Sequence, residues 1–298
     1  MEVKFYKSIL QICNELDGVI ANMYSKEQLT KKLLPINDLF LRRLKNDWFA
    51  NSHPVVTNQQ FIGPATEWFR STKLNNLEGW NYFPCVDVIM GCTHYIEAFV
   101  LKYGWNGIQI LPEEYGYYGM MGKHGTLPGE LVPEMPLIVS LPNWKSAGIR
   151  SDWEDVLKEC EAKKIDIHID FAWITTAKNI NIDLNHPQIK SFAMSMSKYA
   201  MQWNRIGLRW TKQRTMDSIT IFNQYYGDVN SALTSCGAFM IDNIPRDYGW
   251  NTYRKVHHDI CKQVGAHPTN LVHAIQMPGE DRPSGIGQMI SERSLHDI

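Results

Sequence analysis

Residues 151–173 read SDWEDVLKECEAKKIDIHIDFAW. The first half has the pattern of a helix. Ser151 and Glu154 stand at capping-box spacing, and Trp153, Val156, Leu157 and Cys160 mark one apolar face. The second half alternates with a period of two, as a strand does. The flanks repeat this unit. CVDVIMG (85–91) is a short apolar run, and THYIEAFVLKYG (93–104) sets Ile96, Phe99 and Val100 at helical spacing with Gly104 as a stop. GIQIL (107–111), MPLIVSLP (135–142) and SFAMSMS (191–197) are runs of strand length. Strands alternating with helices predict a three-layer α/β/α domain around a mostly parallel sheet.

Outside that rhythm the chain reads differently. Residues 1 to about 50 are expected to be helical, with apolar faces from Ile9, Ile12, Leu16, Leu33, Leu34, Leu39 and Leu41. The stretch 51–84, rich in Asn, Pro and Gly, reads as irregular. One helix is expected over about 250–264, ahead of a tail containing Pro and Gly. The expected organisation is an N-terminal helical segment (1–55), a large domain (56–245) and a small, reduced second domain (246–298).

The 298 residues are enough for a sizeable core, and 44% apolar with 20% charged residues is a globular composition. Thirty basic against 31 acidic residues leave a net charge of -1, which argues against nucleic acid as the main partner. The six cysteines, at 13, 85, 92, 160, 236 and 261, form no CxxC pair and read as reduced thiols of a cytoplasmic protein. No apolar stretch is long enough to span a membrane, and MEVKFYKSIL has no signal-peptide core.

In parallel sheets ligands sit beyond the carboxyl ends of the strands. Gly91, Cys92 and Thr93 follow the first run, Asn143 follows SLP, Asp170 ends IDIHID, and Lys198 and Arg205 follow SFAMSMS. Singly, each has a plain structural reading as a turn, a water-facing acid or a solvated cation. Together they form a chemical set. A Schiff-base lysine needs a fixed seat and a lowered proton affinity. Pyridoxal phosphate supplies the aldehyde and the electron sink. It also needs a carboxylate at its ring nitrogen, N–H groups and an arginine at its phosphate, and an aromatic face against its ring.

The run SMSKYAMQWNRIGLRW (195–210) resembles the lysine segment of fold type I pyridoxal-phosphate enzymes, in particular the class I and II aminotransferases. The resemblance spans about residues 85–245. It implies that Lys198 is the Schiff-base lysine and catalytic base, with Ser195, Ser197 and Arg205 at the phosphate. DFAW is similar to the family's Asp-x-Ala-Tyr, which makes Asp170 the partner of the pyridine nitrogen and puts Trp173 where the family has tyrosine. SLPNWKSAG resembles its Asn-Pro-Thr-Gly region, implying Asn143 as donor to the cofactor's phenolic oxygen. GCTHYIEAF resembles the phosphate-cradling turn, giving Gly91, Cys92 and Thr93. LPEEYGYYG gives Tyr115 as the stacking ring. SALTSCGAFMI resembles the segment before the helix that joins the family's two domains.

The family resemblance implies an enzyme with pyridoxal 5'-phosphate as cofactor, an amino acid or amine as substrate, and a homodimer sharing its active sites. Transamination is the expected outcome. A decarboxylase, lyase, cyclase or oxidase, or a non-catalytic cofactor-binding relative, are the alternatives. Trp173 can donate a hydrogen bond but cannot ionise. The Asn143 region departs from the family pattern. The tail lacks an obvious arginine for a substrate carboxylate, and Arg282 and Arg293 read as solvated surface residues. His257, His258, Cys261 and His267 read as a polar helix rather than a metal site. Cys92, with His94 near, is a minor candidate nucleophile.

Overall fold

Strands that alternate buried faces on both sides need cover on both sides, and the chain supplies it with helices. The structure is a computed structural model that describes residues 33–227 and 229–293, together with Lys26, Leu29 and Thr30. The expected helical faces at Ile9, Ile12 and Leu16 lie outside the described residues. Leu33 and Leu34 are not helical, because the first described α-helix, α1 (Leu39–Ala50), starts at the Asp38 N-cap, whose side chain accepts from Leu41 N–H.

The stretch expected to be irregular contains helix α2 (Asn58–Arg70). Thr57 and Gln60 close a full capping box there. Pro64 sits inside the helix, yet Phe61, Ala65, Trp68 and Phe69 are buried along it, and their burial outweighs the lost backbone bond. Along the chain then follow β1 (Asn76–Glu78), β2 (Cys85–Ile89), α3 (Gly91–Tyr103), β3 (Gln109–Ile110), α4 (Gly116–Met120), β4 (Leu137–Ser140), α5 (Trp153–Ala162), β5 (Ile167–Phe171), β6 (Asn181–Asp183), β7 (Ile189–Ser195) and β8 (Gly207–Thr211). Helices α6 (Ser218–Tyr225), α7 (Ser231–Asn243) and α8 (Tyr248–Val264) precede β9 (His267–Pro268), β10 (Ala274–Gln276), β11 (Ser284–Gly285) and α9 (Gly287–Arg293).

The central sheet has the order β2-β8-β7-β5-β4-β3. Its β3/β4, β4/β5 and β5/β7 pairs are parallel, while β8 is antiparallel to both β7 and β2. Five of the six strands therefore end at one edge. On one face Ile89, Ile138 and Ala193 pack with Tyr95, Ile96 and Phe99 of α3. On the other, Val139, Ile169, Phe192 and Met194 pack with Trp153 and Val156 of α5 and Phe61 of α2. This is the expected three-layer arrangement. A third cluster joins Trp250, Ile260 and Val264 of α8 to Ile275 of β10 and Ile286, Met289 and Ile290 at the C-terminal end.

One local expectation is corrected. Ser151 does not cap α5. The N-cap is Asp152, without a side-chain cap bond, because its carboxylate is taken by the Arg150 guanidinium at 2.8 Å. SALTSCGAFMI lies in helix α7, with Asn230 as its cap, and α8 follows it.

Candidate active site

The common strand edge gathers the expected residues, and the turns after the strands explain why. β2 ends at Ile89, and Gly91 then opens α3 with φ +75°, a conformation that L side chains rarely adopt. A Cβ there would lie 3.2 Å from Ser197 Oγ, 3.3 Å from Arg205 Cβ and 3.6 Å from Ser195 Oγ. Glycine is thus required where three segments converge. The N-cap of α3, Met90, supplies no side-chain cap, so the first-turn N–H groups remain available for an anion. Around them Ser195 Oγ lies 2.5 Å from Ser197 Oγ, and Arg205 Nη1 donates to Thr93 Oγ1 at 3.3 Å. Hydroxyls, backbone donors and an exposed guanidinium converge here and could hold an anion.

Asp170 and Lys198 lie beside this cradle. Asp170 is 4% exposed, accepts the Ala172 N–H at 2.8 Å, and pairs in register with Ser140 and Ala193. Burial raises its proton affinity, against the Cys92 thiol, the Ala172 N–H and the Lys198 ammonium. Lys198 is half-buried just beyond β7. Burial lowers its proton affinity, Arg205 adds to the lowering, and Asp170 opposes it. Its Nζ lies 4.2 Å from the Trp173 ring centroid and 5.9 Å from that of Tyr115. An amine with depressed basicity between two aromatic rings, with a buried carboxyl near, suits imine chemistry.

Two expected residues turn their side chains to partners within the protein. The Cys92 side chain points away from the cradle, its thiol 3.7 Å from Ala193 O and bonded to Asp170, so only its N–H can serve an anion. Burial pushes that thiol up, which removes it as a nucleophile. Asn143 is buried, and its side chain mainly shapes its own turn. Oδ1 accepts the N–H groups of Lys145 and Ser146, and Nδ2 donates to Glu113 O at 3.2 Å.

Residues of the C-terminal region were not singled out by strand-end logic. Arg282, expected on the free surface, is exposed but lays its guanidinium 4.9 Å from the Trp144 ring centroid, beside Asn143. Arg293 is the last residue of α9. His273 is fully buried and stacks on Trp173 at 4.2 Å between centroids, with both ring nitrogens unpartnered. Burial, then the Lys198 charge, brings it down to about 3, so it stays neutral. Glu114, also passed over, had a usable signal, because it follows β3 at the same edge.

Rival constellations do not assemble. His257 bonds Ala274 O at 2.9 Å, and among the described residues no group of His, Cys, Asp and Glu could hold a metal. His168 and Ser191 are 2.7 Å apart, with Tyr95 2.6 Å beyond, but all three are sealed between α3 and the sheet. A surface cavity of about 520 Å³ lined by Trp68, Lys73, Arg246 and Asn251 shares no residue with the Lys198 site. Among the described residues no helix is long and apolar enough to cross a membrane.

No protein-family model and no curated protein matches the sequence. Solved structures do match in fold. The PLP-bound C-S lyase from Staphylococcus hominis superposes with a TM-score of 0.58 at 9% identity, covering 85% of this chain and 78% of its own. The alanine aminotransferase from Pyrococcus furiosus gives 0.56 at 10% identity, covering 90% and 88%. The tyrosine aminotransferase from Leishmania infantum gives 0.52 at 13% identity, covering 88% and 90%. At these identities the likeness is one of fold.

Proposed function

We propose that the chain is a pyridoxal-phosphate-dependent enzyme acting on an amino acid or amine, with Lys198 as its covalent anchor and catalytic base. It has the fold shared by those aminotransferases and the C-S lyase. The observation that carries the reading is the glycine-only meeting point at Gly91, which brings Ser195, Ser197 and Arg205 together beside Lys198 and Asp170. The cofactor, when bound, supplies an electrophilic aldehyde and an electron sink for a carbanion.

The residues divide the remaining work. The first-turn N–H groups of α3, Thr93, Ser195, Ser197 and Arg205 hold the phosphate. Asp170 holds a proton at the pyridine nitrogen, and Tyr115 covers the ring. Trp173 borders the ring, and its N–H, which donates to none of the described residues, serves where a tyrosine hydroxyl would. Asn143 keeps a second Nδ2 hydrogen for the cofactor beside its bond to Glu113. Lys198 moves the proton at the substrate's α-carbon. Added pyridoxal phosphate is expected to attach covalently at Lys198, seen as a new absorption band and, after borohydride reduction, as a modified Lys198 peptide. Cofactor bound only without such attachment would defeat the reading.

Transamination is the outcome we favour, because two of the three structures compared are aminotransferases; we further propose that Arg282, laid over the Trp144 ring, takes the substrate carboxylate. Arg282→Ala is expected to raise KM for an amino acid roughly 10–100-fold, the worth of a charge-assisted hydrogen bond, with a smaller change in kcat. An amine without a carboxylate should be unaffected. Keto-acid-dependent amino transfer distinguishes this outcome from a lyase or decarboxylase. We further propose a homodimer, which would cover exposed apolar residues such as Trp203 (83% exposed) and Met120 (79%). Sedimentation should show the dimer at micromolar concentration; a monomer would contradict it.

A further inference from the structure

A second carboxyl lies behind Asp170. Glu114 is 6% exposed, in the segment after β3. Its Oε2 accepts the backbone N–H of Ser140 at 2.9 Å, at the end of β4, and Ser140 pairs in register with Asp170. Its carbonyl accepts the Trp144 indole N–H at 3.0 Å, while the neighbouring Glu113 carbonyl accepts Asn143 Nδ2. Tyr115, the proposed stacking ring, is the next residue. Glu114 thus ties the stacking segment both to the sheet edge and to the Asn143–Trp144 turn.

The surroundings do not suit a charged group. Glu114 Oε1 and Tyr118 OH are buried without a partner, and among the described residues only Ser140 donates to the Glu114 carboxyl. The cation that acts on it, Arg150, spends its guanidinium on Asp152 and on Pro112 O. The other titratable groups facing this place are Asp170 on β5, Tyr118 on α4, and Cys92 and Tyr95 on α3 behind them. Tyr118, Cys92 and Tyr95 are all held neutral, chiefly by burial. A buried carboxylate held by Ser140 alone, with a second carboxyl one strand away, would leave two poorly compensated charges.

We propose that Glu114 is a positioning residue of the site: its carboxyl, in the protonated form, fastens the Tyr115 segment to β4 and leaves Asp170 to carry the negative charge at this edge. The role given to Asp170 rests on the proposed function; the state of Glu114 does not. Burial, only partly opposed by Ser140 and Arg150, pushes the Glu114 carboxyl up to about 8. A carboxyl raised on folding stabilises the fold below its unfolded value of 4.5 and loses that contribution as pH rises to about 8. Above about 8 the effect levels off.

The test uses the full chain without cofactor. Glu114→Gln keeps the shape, an acceptor for Ser140 N–H and a donor, but cannot ionise. Unfolding in urea from pH 5 to pH 9 should show the folding constant of Glu114→Gln gaining on wild type about tenfold per pH unit, to on the order of 10³ near pH 8. Identical pH slopes in the two proteins would overturn the proposal. Should Glu114→Gln not fold, a carboxyl-carbon NMR titration of ¹³C-Glu-labelled wild type gives the direct answer. A buried glutamate titrating near 8 supports the proposal, and all glutamates titrating below 6 refute it. With pyridoxal phosphate present, Glu114→Gln should bind within a few-fold of wild type at pH 7 and keep that affinity above pH 8, where wild type weakens. Glu114→Ala should bind at least tenfold more weakly at both. Because the stability readout needs no cofactor, failure of Lys198 attachment would remove the proposed function and leave the Glu114 result standing.

Discussion

Lys198→Ala should lose covalent attachment of pyridoxal phosphate altogether and slow exchange of the substrate's α-proton by roughly 10²–10⁴-fold, the usual worth of a positioned general base. Solvent deuterium exchange followed by NMR measures that step without assuming the final product. The loss is large because Lys198 has two jobs, and no other described lysine shares its place beside Asp170. Lys198→Arg separates them. It keeps a cation near Asp170 and against the Trp173 ring but offers no nucleophile, so it should bind the cofactor reversibly and remain unattached. Undiminished attachment in Lys198→Ala would mean that another lysine is the anchor.

Arg209→Met is expected to cost about 3–5 kcal/mol of stability, the typical penalty for removing one partner of a buried ion pair. Arg209 is 2% exposed and sits on β8, directly opposite Asp87 on β2. Its Nη2 reaches Asp87 Oδ2 at 2.6 Å and Thr220 Oγ1 at 2.9 Å, and Nη1 reaches Asp217. Asp217 in turn caps α6 through the Thr220 N–H. The substitution would leave two buried carboxylates without a cation. For Asp217, burial alone would raise the proton affinity, but Arg209 and the cap bonds outweigh it and hold the group low. That stabilisation is present above the unfolded carboxylate value and lost as pH falls through the lower folded one. The gap between wild type and variant should therefore narrow toward pH 3 and widen toward neutrality. Thermal melts near pH 7 should show a drop of roughly 10 °C for a chain of this size. Asp87→Asn in the Arg209→Met background should recover part of it.

The strands and α3 were legible because a buried parallel sheet writes itself as apolar runs of strand length, each followed by a helical period. Helix α2 was not. Pro64 and the surrounding Asn and Gly residues carry the local signal of a loop, while the force that keeps the helix is the burial of Phe61, Trp68 and Phe69 against distant elements. The cap at Ser151 failed for a related reason. Spacing offered the bond, and Arg150 won the competition for the neighbouring Asp152.

In the site, Gly91, Asp170, Lys198 and Arg205 could be named from their place at the strand ends, while Ser195 and Ser197 were named from the family resemblance of the lysine segment. Arg282 and His273 could not. They come from the C-terminal region, and only the packing of that region brings one against Trp144 and the other against Trp173.

What the sequence determined by itself was periodic and local: which runs are strands, which edge they share, and which lysine and carboxylate stand at that edge. The pleat and the helical repeat are encoded within a few residues, so they survive without knowledge of the rest of the chain. What only the tertiary structure decided was proximity between segments far apart in sequence. It set the cradle behind a glycine with positive φ, the arginine laid over Trp144 from a tail 138 positions away, and the acid paired with Ser140 behind Asp170. Such meetings depend on how whole layers pack, and layer packing follows the total apolar surface buried rather than any single stretch of residues.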